Sequence, residues 1–151
     1  MVDLVAELPR LLPKAIAWAE SQAAEMQVAG TPLNAEGVRL ARAVGVRHPE
    51  LIRIAEVAGL PFPADPELRS AALQAGLLGP GIGLTLGYAI YVVTGHLSNR
   101  LLSHECRHVR QYEAAGSIAA FLPVYLQQVV LYGYRMAPYE VDAREHERDV
   151  A

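Results

Sequence analysis

Apolar residues recur at intervals of three or four over the first part of the chain, which predicts helices. The first helix covers residues 4–29. Pro9 and Pro13 lie in its first half, and an interior proline removes a backbone hydrogen bond and clashes with the preceding turn. We therefore expect the regular helix to begin after Pro13. A second helix is predicted from Asn34, a favourable N-cap, through Val44.

The middle of the chain changes to a strand pattern. Residues 49–57 alternate apolar and polar side chains, which predicts a strand. A short helix is predicted from Asp65 to about residue 75, because Pro66 suits its first position. Residues 76–95 combine several glycines with β-branched and aromatic residues, which predicts one or two strands with a tight turn. A phosphate-binding loop at GPGIG is a weaker alternative, because the stretch lacks the known glycine-loop patterns.

The last third of the chain is helical again. Ser98 is a suitable N-cap for a helix that ends near residue 115, and Ser117 for one that is kinked or restarted at Pro123. Pro138 begins a final helix. The order of helices, a few strands and further helices predicts a single α+β domain. We expect a helical N-terminal part over residues 1–75 and a small, mostly antiparallel sheet.

Composition and charge exclude several classes of function. The 151 residues include 13 basic and 16 acidic ones, a net charge of −3, which provides no electrostatic reason to bind nucleic acid or an anionic membrane. Cys106 is the sole cysteine, so neither an intrachain disulfide nor a cysteine-based zinc site can form. The acidic residues Asp3 and Glu7 are not typical of a signal peptide, and we expect a cytoplasmic protein.

The most apolar segment, residues 117–132, contains Pro123, Gln127 and Gln128. A bilayer span needs about 20 apolar residues without such interruptions. We therefore expect a buried helix and no membrane span. The same helix could alternatively dock a second copy of the chain or a partner protein.

The residues most suited to chemistry form the stretch HECRH, residues 104–108. Residues four apart share one face of a helix, so His104 and His108 can offer two imidazole nitrogens to one metal ion. Glu105 lies about 100° further round the helix, where it can take a proton from a metal-bound water. Zinc lowers the pKa of such a water to about 7. The spacing therefore predicts a zinc site with Glu105 as general base.

A catalytic zinc ion needs a third protein ligand and one open position. The candidates lie in the last predicted helix and carry carboxylate or imidazole groups: Glu140, Asp142, Glu145, His146 and Glu147. An acid in the first turn of a helix is also common without any metal, since it faces the positive end of the helix dipole. Asp142 or Glu113 could hold the outer nitrogen of a ligating imidazole.

The remaining polar residues near the motif have simpler interpretations. Arg107 and Arg110 are expected on the surface or paired with acids such as Glu113. Cys106 is expected to be a small buried side chain rather than a nucleophile. His48 and His96 are expected to be polar surface residues.

The segments GLTLGYAIYVVTG, RLLSHECRHVRQYE and PYEVDA together resemble minimal gluzincin-type zinc metallopeptidase domains of bacterial proteins. In those domains a strand or hairpin precedes a helix of the form LLxHExxHVxQ, and a later helix supplies a glutamate. The resemblance covers about residues 80–147 and implies a zincin-like fold. It also implies that His104, His108 and Glu140 bind zinc and that Glu105 is the general base.

The same resemblance implies roles toward a substrate. The strand around Tyr88, Ile90 and Tyr91 would be the edge to which an extended peptide adds as a further strand. Tyr134 or Tyr139 would donate a hydrogen bond to the oxyanion, although either tyrosine could simply pack.

Two hypotheses about function follow. The first is a zinc metallopeptidase that hydrolyses peptide bonds with a zinc-bound water activated by Glu105. The second is a non-catalytic metal-binding or helical interaction module with a zincin-like fold. The ligands distinguish them, because a catalytic zinc site keeps one position open whereas a structural site is closed by four ligands.

Overall fold

The computed structural model describes residues 2–77 and 81–151. Within these residues the chain forms six α-helices and four strands in an α+β arrangement. In chain order the elements are α1 (Leu4–Ala29), β1 (Thr31–Pro32), α2 (Ala35–Ala43), β2 (Arg53–Val57), α3 (Pro66–Gln74), β3 (Gly83–Leu86), β4 (Ala89–Val93), α4 (Asn99–Ala115), α5 (Ile118–Tyr132) and α6 (Pro138–Glu145). Residues 78–80, which belong to the stretch 76–95 and to the GPGIG alternative, lie outside the described residues.

The sheet is mixed, with two antiparallel strand pairs and one parallel pair. Its strand order is β1-β2-β4-β3, with β1 and β3 antiparallel to their neighbours and β2 parallel to β4 over five residue pairs. A parallel pair needs a long crossover connection, and here α3 lies in the connection after β2. The alternation of apolar and polar residues predicts a strand but not the direction of its partner, so the antiparallel expectation was wrong for the central pair.

The strand expected to receive a peptide is not at the edge of the sheet. Ile90 and Tyr91 lie in β4, which is paired on both sides, and both side chains are buried. Tyr88 lies in the turn before β4, where its hydroxyl donates a hydrogen bond to Glu113. The free edge on this side is β3, which pairs only with β4 in the described part of the chain. A tight turn at Gly87, whose φ is +65°, joins the two strands.

Helix α1 begins before its two prolines, contrary to expectation. The Asp3 carboxylate caps the first turn by accepting hydrogen bonds from two backbone amides. Pro9 and Pro13 lie inside the helix without ending it. The first half of α1 packs on α3 through Leu11, and Lys14 forms an ion pair with Asp65. Tertiary packing therefore compensates for the hydrogen bonds that the prolines remove.

The sheet separates two layers of helices, which explains why β4 is buried on both faces. Ile90 and Val92 pack with residues of α2 and α4, including Val109. Ala89 and Tyr91 point the other way and pack with residues of α1 and α5. Side chains of a strand alternate between its faces, so β4 places α4 against one side of the sheet and α5 against the other.

Helix α5 is continuous through Pro123 and buries only part of its surface. Phe121, Leu122 and Val129 are buried, whereas Leu131 remains 55% exposed. No single helix among residues 2–77 and 81–151 is long and apolar enough to cross a membrane, although α4 and α5 together, bent by 117°, reach that length and composition.

The central position of β4 has a measurable consequence. Replacing Ile90, which is fully buried, by alanine should lower the free energy of unfolding by about 2–5 kcal/mol, because it removes packing between the sheet and α4. Val28→Ala is the control, since Val28 is 91% exposed and should change stability by less than about 0.5 kcal/mol. Urea unfolding measures both changes. A loss of under 1 kcal/mol for Ile90→Ala would contradict this topology.

Candidate metal centre

Helix α4 carries three of the four central residues and is defined at both ends. The Ser98 hydroxyl accepts a hydrogen bond from the Leu101 amide, and Gly116 ends the helix in a left-handed conformation with φ of +102°. His104 and His108 lie one turn apart, with ring centroids 5.0 Å from each other. The spacing of the two histidines therefore produces the shared face that the sequence predicts.

Glu140 reaches these histidines from the first turn of α6. Its Oε1 lies 3.2 Å from His104 Nε2, and its Oε2 lies 3.1 Å from His108 Nε2. One ligand atom from each residue lies within 4.8 Å of the other two, and the cluster is largely buried. Among the five candidates for a third ligand, the fold therefore selects Glu140, and the group could hold a metal ion.

The charges of this cluster are strongly coupled. Burial raises the pKa of the Glu140 carboxyl, but the hydrogen bonds from His104 and His108 outweigh burial and hold the pKa well below its usual range. Burial lowers the pKa of His108, but its hydrogen bond with Glu140 raises the pKa to about 9. The pKa of His104 is raised for the same reason. The three side chains thus form a compact ionic unit.

A hydrogen-bond chain orients the His108 ring. The Gln111 amide nitrogen donates to the Tyr139 carbonyl and to Asp142 Oδ2, each at 2.9 Å. Its oxygen therefore faces His108 Nδ1, at 2.8 Å. Because a carbonyl oxygen only accepts, Nδ1 carries a proton and Nε2 is directed at Glu140. Arg107 completes the chain by pairing with Asp142 at 2.8 Å.

The segment after α6 orients the His104 ring in the same way. Glu147 Oε2 lies 2.8 Å from His104 Nδ1, and the other oxygen of Glu147 lies 2.9 Å from Arg100 Nε. The Arg148 amide donates to the Ser103 hydroxyl at 2.8 Å. The carboxylate accepts a hydrogen bond from the Nδ1–H group, so Nε2 again points at Glu140.

These contacts correct two expectations about the surroundings of the histidines. Glu113 does not contact either ring: it accepts hydrogen bonds from the backbone amides of Arg47 and His48 and from the Tyr88 hydroxyl. Asp142 holds His108 only indirectly, through Gln111. Side chains at i and i+3 on one helix are adjacent, which is why Gln111 reaches His108 before a residue from another helix can.

Glu105 lies beside the cluster and not in it. The Glu105 residue is 5% exposed. Its carboxylate accepts a hydrogen bond of 2.9 Å from the Thr85 hydroxyl on β3 and lies 4.0 Å from His104 Nε2. Burial raises the pKa of this carboxyl. A Cβ at Gly83 would lie 2.9 Å from Glu105 Oε2, so a larger residue here would require the Glu105 carboxylate to shift. The arrangement leaves an acceptor for a proton next to the possible metal ligands.

A cavity of about 850 Å³ opens beside Glu105, His108 and Glu140. Its other lining residues come mainly from α1, α3, α5, the segment before α3, and β3. Cavities of this size, with mostly apolar walls and a few polar groups, are typical of small-molecule sites. The cluster is therefore reachable by a ligand although its residues are largely buried.

The other predicted residues are distributed around this centre. Tyr134 lines the cavity, whereas Tyr139 is absent from the lining and stacks its ring on Phe121, with centroids 4.9 Å apart. His96 lines the cavity, and His48 is a surface residue that contacts Glu50.

Cys106 is fully buried in the core beside α2, as expected, and burial raises the pKa of its thiol. A raised pKa keeps the thiol protonated, which argues against the nucleophile alternative.

Two polar contacts of the centre come from residues that the sequence did not indicate, Thr85 and Tyr125, and a third comes from Glu147, which was expected only as a possible metal ligand. Thr85 holds Glu105, Tyr125 donates a 2.8 Å hydrogen bond to Glu140 Oε2, and Glu147 holds His104. Tyr125 is part of an apolar helix, and no pattern marks it as polar in function. Gln111 could have been found, because it belongs to the LLxHExxHVxQ pattern and is spaced three residues from His108.

No known protein family, curated protein or solved structure matches the chain. The resemblance to gluzincin-type domains thus stays an expectation from the motifs.

The hydrogen bond from Tyr125 can be tested without any metal. Tyr125→Phe removes the donor to a buried carboxylate and should lower the free energy of unfolding by about 1.5–3 kcal/mol. Tyr132→Phe is the matched control on the same helix: Tyr132 is 59% exposed and should change stability by less than about 0.5 kcal/mol. Equal effects of the two substitutions in chemical unfolding would refute the contact.

Proposed function

We propose that the chain is a zinc-dependent hydrolase that cleaves amide bonds of the peptide type. His104, His108 and Glu140 would hold the ion, because two imidazoles and one carboxylate are a ligand set used by catalytic zinc sites. The observation that carries the proposal is the convergence of both Nε2 atoms on Glu140, at 3.2 and 3.1 Å. Atoms that share one tetrahedral zinc ion at about 2.0–2.1 Å lie roughly 3.3 Å apart.

The outer contacts support this assignment. A ligating imidazole usually donates its second N–H to a carboxylate or carbonyl group, and Glu147 and Gln111 accept those protons here, both at 2.8 Å. Both rings are thereby held with Nε2 directed at the Glu140 carboxylate, so little side-chain entropy would be lost when an ion binds. Three ligands also leave one position for substrate or water.

Glu105 is proposed as the general base. When bound, zinc would supply Lewis acidity and lower the pKa of a water to about 7. Glu105 accepts the proton that the attacking water loses and passes it to the amine nitrogen as the carbon–nitrogen bond breaks. Burial raises the pKa of Glu105, which makes its carboxylate a stronger base. Thr85 fixes the carboxylate by a 2.9 Å hydrogen bond.

The free edge of β3 is the proposed place for an extended substrate, in place of the strand around Tyr88. Gly83 lies against Glu105, and Gly83, Leu84 and Thr85 line the cavity. A substrate backbone can pair with an unpaired strand edge, and β3 would place such a backbone beside the general base. Tyr134 lines the same cavity and is retained as the candidate hydrogen-bond donor to the oxyanion.

A specific observation also favours the non-catalytic alternative. Within the described residues, no buried side-chain nitrogen or oxygen lacks a hydrogen-bond partner. Glu140 satisfies both imidazoles directly, so the cluster is complete as an ionic unit of the core. If the cluster serves to hold α4 and α6 together, the protein is a non-catalytic interaction module.

The metal assignment predicts the zinc content of two matched variants. The purified protein should bind about one zinc ion per chain, and His108→Ala should lose it because two remaining ligands hold zinc weakly. His48→Ala is the control, since His48 is a surface residue. Calorimetric titration with Zn²⁺, and with Mg²⁺ as an ion that prefers oxygen ligands, measures the difference. Full zinc binding by His108→Ala would refute the ligand set.

The catalytic assignment predicts a separation of binding from turnover. Glu105→Gln should keep zinc and lose amide hydrolysis by about 10²- to 10⁴-fold, because the amide cannot accept the proton. Glu145→Gln, at an exposed position of α6, should keep both. A library of internally quenched peptides provides the assay. Unchanged hydrolysis in Glu105→Gln would contradict the mechanism, and no hydrolysis by zinc-loaded protein would favour the interaction module.

A further inference from the structure

The cavity beside the cluster has two chemically different walls. One wall carries the polar groups, and Glu105, His108 and Glu140 lie in it. A second, helical wall is formed by α1, α3 and α5, and its described lining residues are apolar except for the indole of Trp18 and the hydroxyl of Tyr125, which donates to Glu140. Its apolar residues are Ala15, Ala19, Leu68, Ala72, Phe121, Leu122 and Leu126.

The helical wall cannot satisfy a peptide backbone. Apart from the carbonyl groups that the prolines of α1 and α5 leave unpaired, the N–H and C=O groups in the interior of α1, α3 and α5 are already paired inside each helix. A peptide amide placed against these helices would lose its water and find no partner, which is costly. A hydrocarbon chain has no such groups, and the transfer of each of its methylenes out of water lowers the free energy.

The volume of the cavity excludes a single side chain as its full occupant. Pockets that enclose whole drug-sized ligands measure about 300–1,000 Å³, and this cavity measures about 850 Å³. One leucine or phenylalanine side chain would fill only a small part and leave apolar walls in contact with water. A long unbranched chain would cover these walls continuously.

We infer that the substrate is an amide whose acyl part is a long hydrocarbon chain, and that this chain occupies the cavity. The inference rests on the proposed function. The carbonyl of the amide would lie beside Glu105, and the amine part, with its polar groups, would lie along the edge of β3. Hydrolysis adds the water oxygen to the carbonyl carbon and breaks the carbon–nitrogen bond, giving a fatty acid and an amine that takes the water proton.

Binding of uncharged amides tests the inference without hydrolysis. N-Methylalkanamides with six, eight and ten acyl carbons are titrated into zinc-free protein, so that neither metal ligation nor turnover contributes. Affinity should rise about fourfold for each added methylene, the factor expected for transfer of a CH₂ group out of water. Equal affinity along the series would overturn the inference. So would tighter binding of the peptide N-acetyl-Leu-Leu-Phe-amide than of the ten-carbon amide.

Two substitutions on neighbouring positions of α3 locate the binding. Ala72 lines the cavity, whereas Leu73 is 55% exposed and does not. Ala72→Phe should weaken binding of the ten-carbon amide at least tenfold, and Leu73→Phe should change it less than twofold. Equal affinities for the two variants would overturn the inference. The chain-length series on the unsubstituted protein decides the question if Ala72→Phe does not fold.

The outcomes separate this inference from the proposed function. Chain-length-dependent binding, together with no hydrolysis of long-chain amides by the zinc-loaded protein, would support the cavity assignment and refute the hydrolase. Hydrolysis that is lost in Glu105→Gln but does not depend on acyl length would support the hydrolase and overturn the cavity assignment.

Discussion

The shared contact of the Glu140 carboxylate with two imidazoles is the interaction on which the centre of this protein depends. Burying a charged group is costly unless it is paired and hydrogen-bonded. Each member of the cluster also has a hydrogen-bond partner outside it: Tyr125 for Glu140, Gln111 for His108 and Glu147 for His104. Removing any one of these groups would leave the others with an unpaired charge or donor in the interior.

The same contact depends on the long-range topology of the chain. His104 and Glu140 are brought together because α5 turns the chain back between α4 and α6. The sheet positions α4 from the other direction: β4 packs on it through Ile90, and β3 passes close to Glu105 at Gly83, where a Cβ would lie 2.9 Å from the carboxylate. The geometry of the polar centre therefore depends on the packing of α4 against the sheet in the apolar core.

The position of the cluster beside an apolar cavity has a consequence for chemistry. Electrostatic interactions are stronger in a region of low dielectric than in water, and Glu105 already has a raised pKa because it is buried. Under the proposed function, the groups that stabilise charge lie where their effect is largest. The apolar residues of α1, α3 and α5 in the same cavity would give the inferred long-chain substrate the free energy of burying hydrocarbon, which would hold the reacting bond beside the cluster.

Local patterns in the sequence were sufficient for the helices, their caps and the pairing of His104 with His108, because each depends on neighbours within about one turn. Gln111 belongs to the same local rule. Local patterns did not predict the direction of β2 beside β4, the edge position of β3, or the continuation of α1 through Pro9, because contacts between distant segments decide all three. The choice of Glu140 over Glu147 as the candidate third ligand also required the packing of α6 on α4. Both acids carry the same chemistry, but Glu140 contacts Nε2 of both histidines whereas Glu147 contacts Nδ1 of His104.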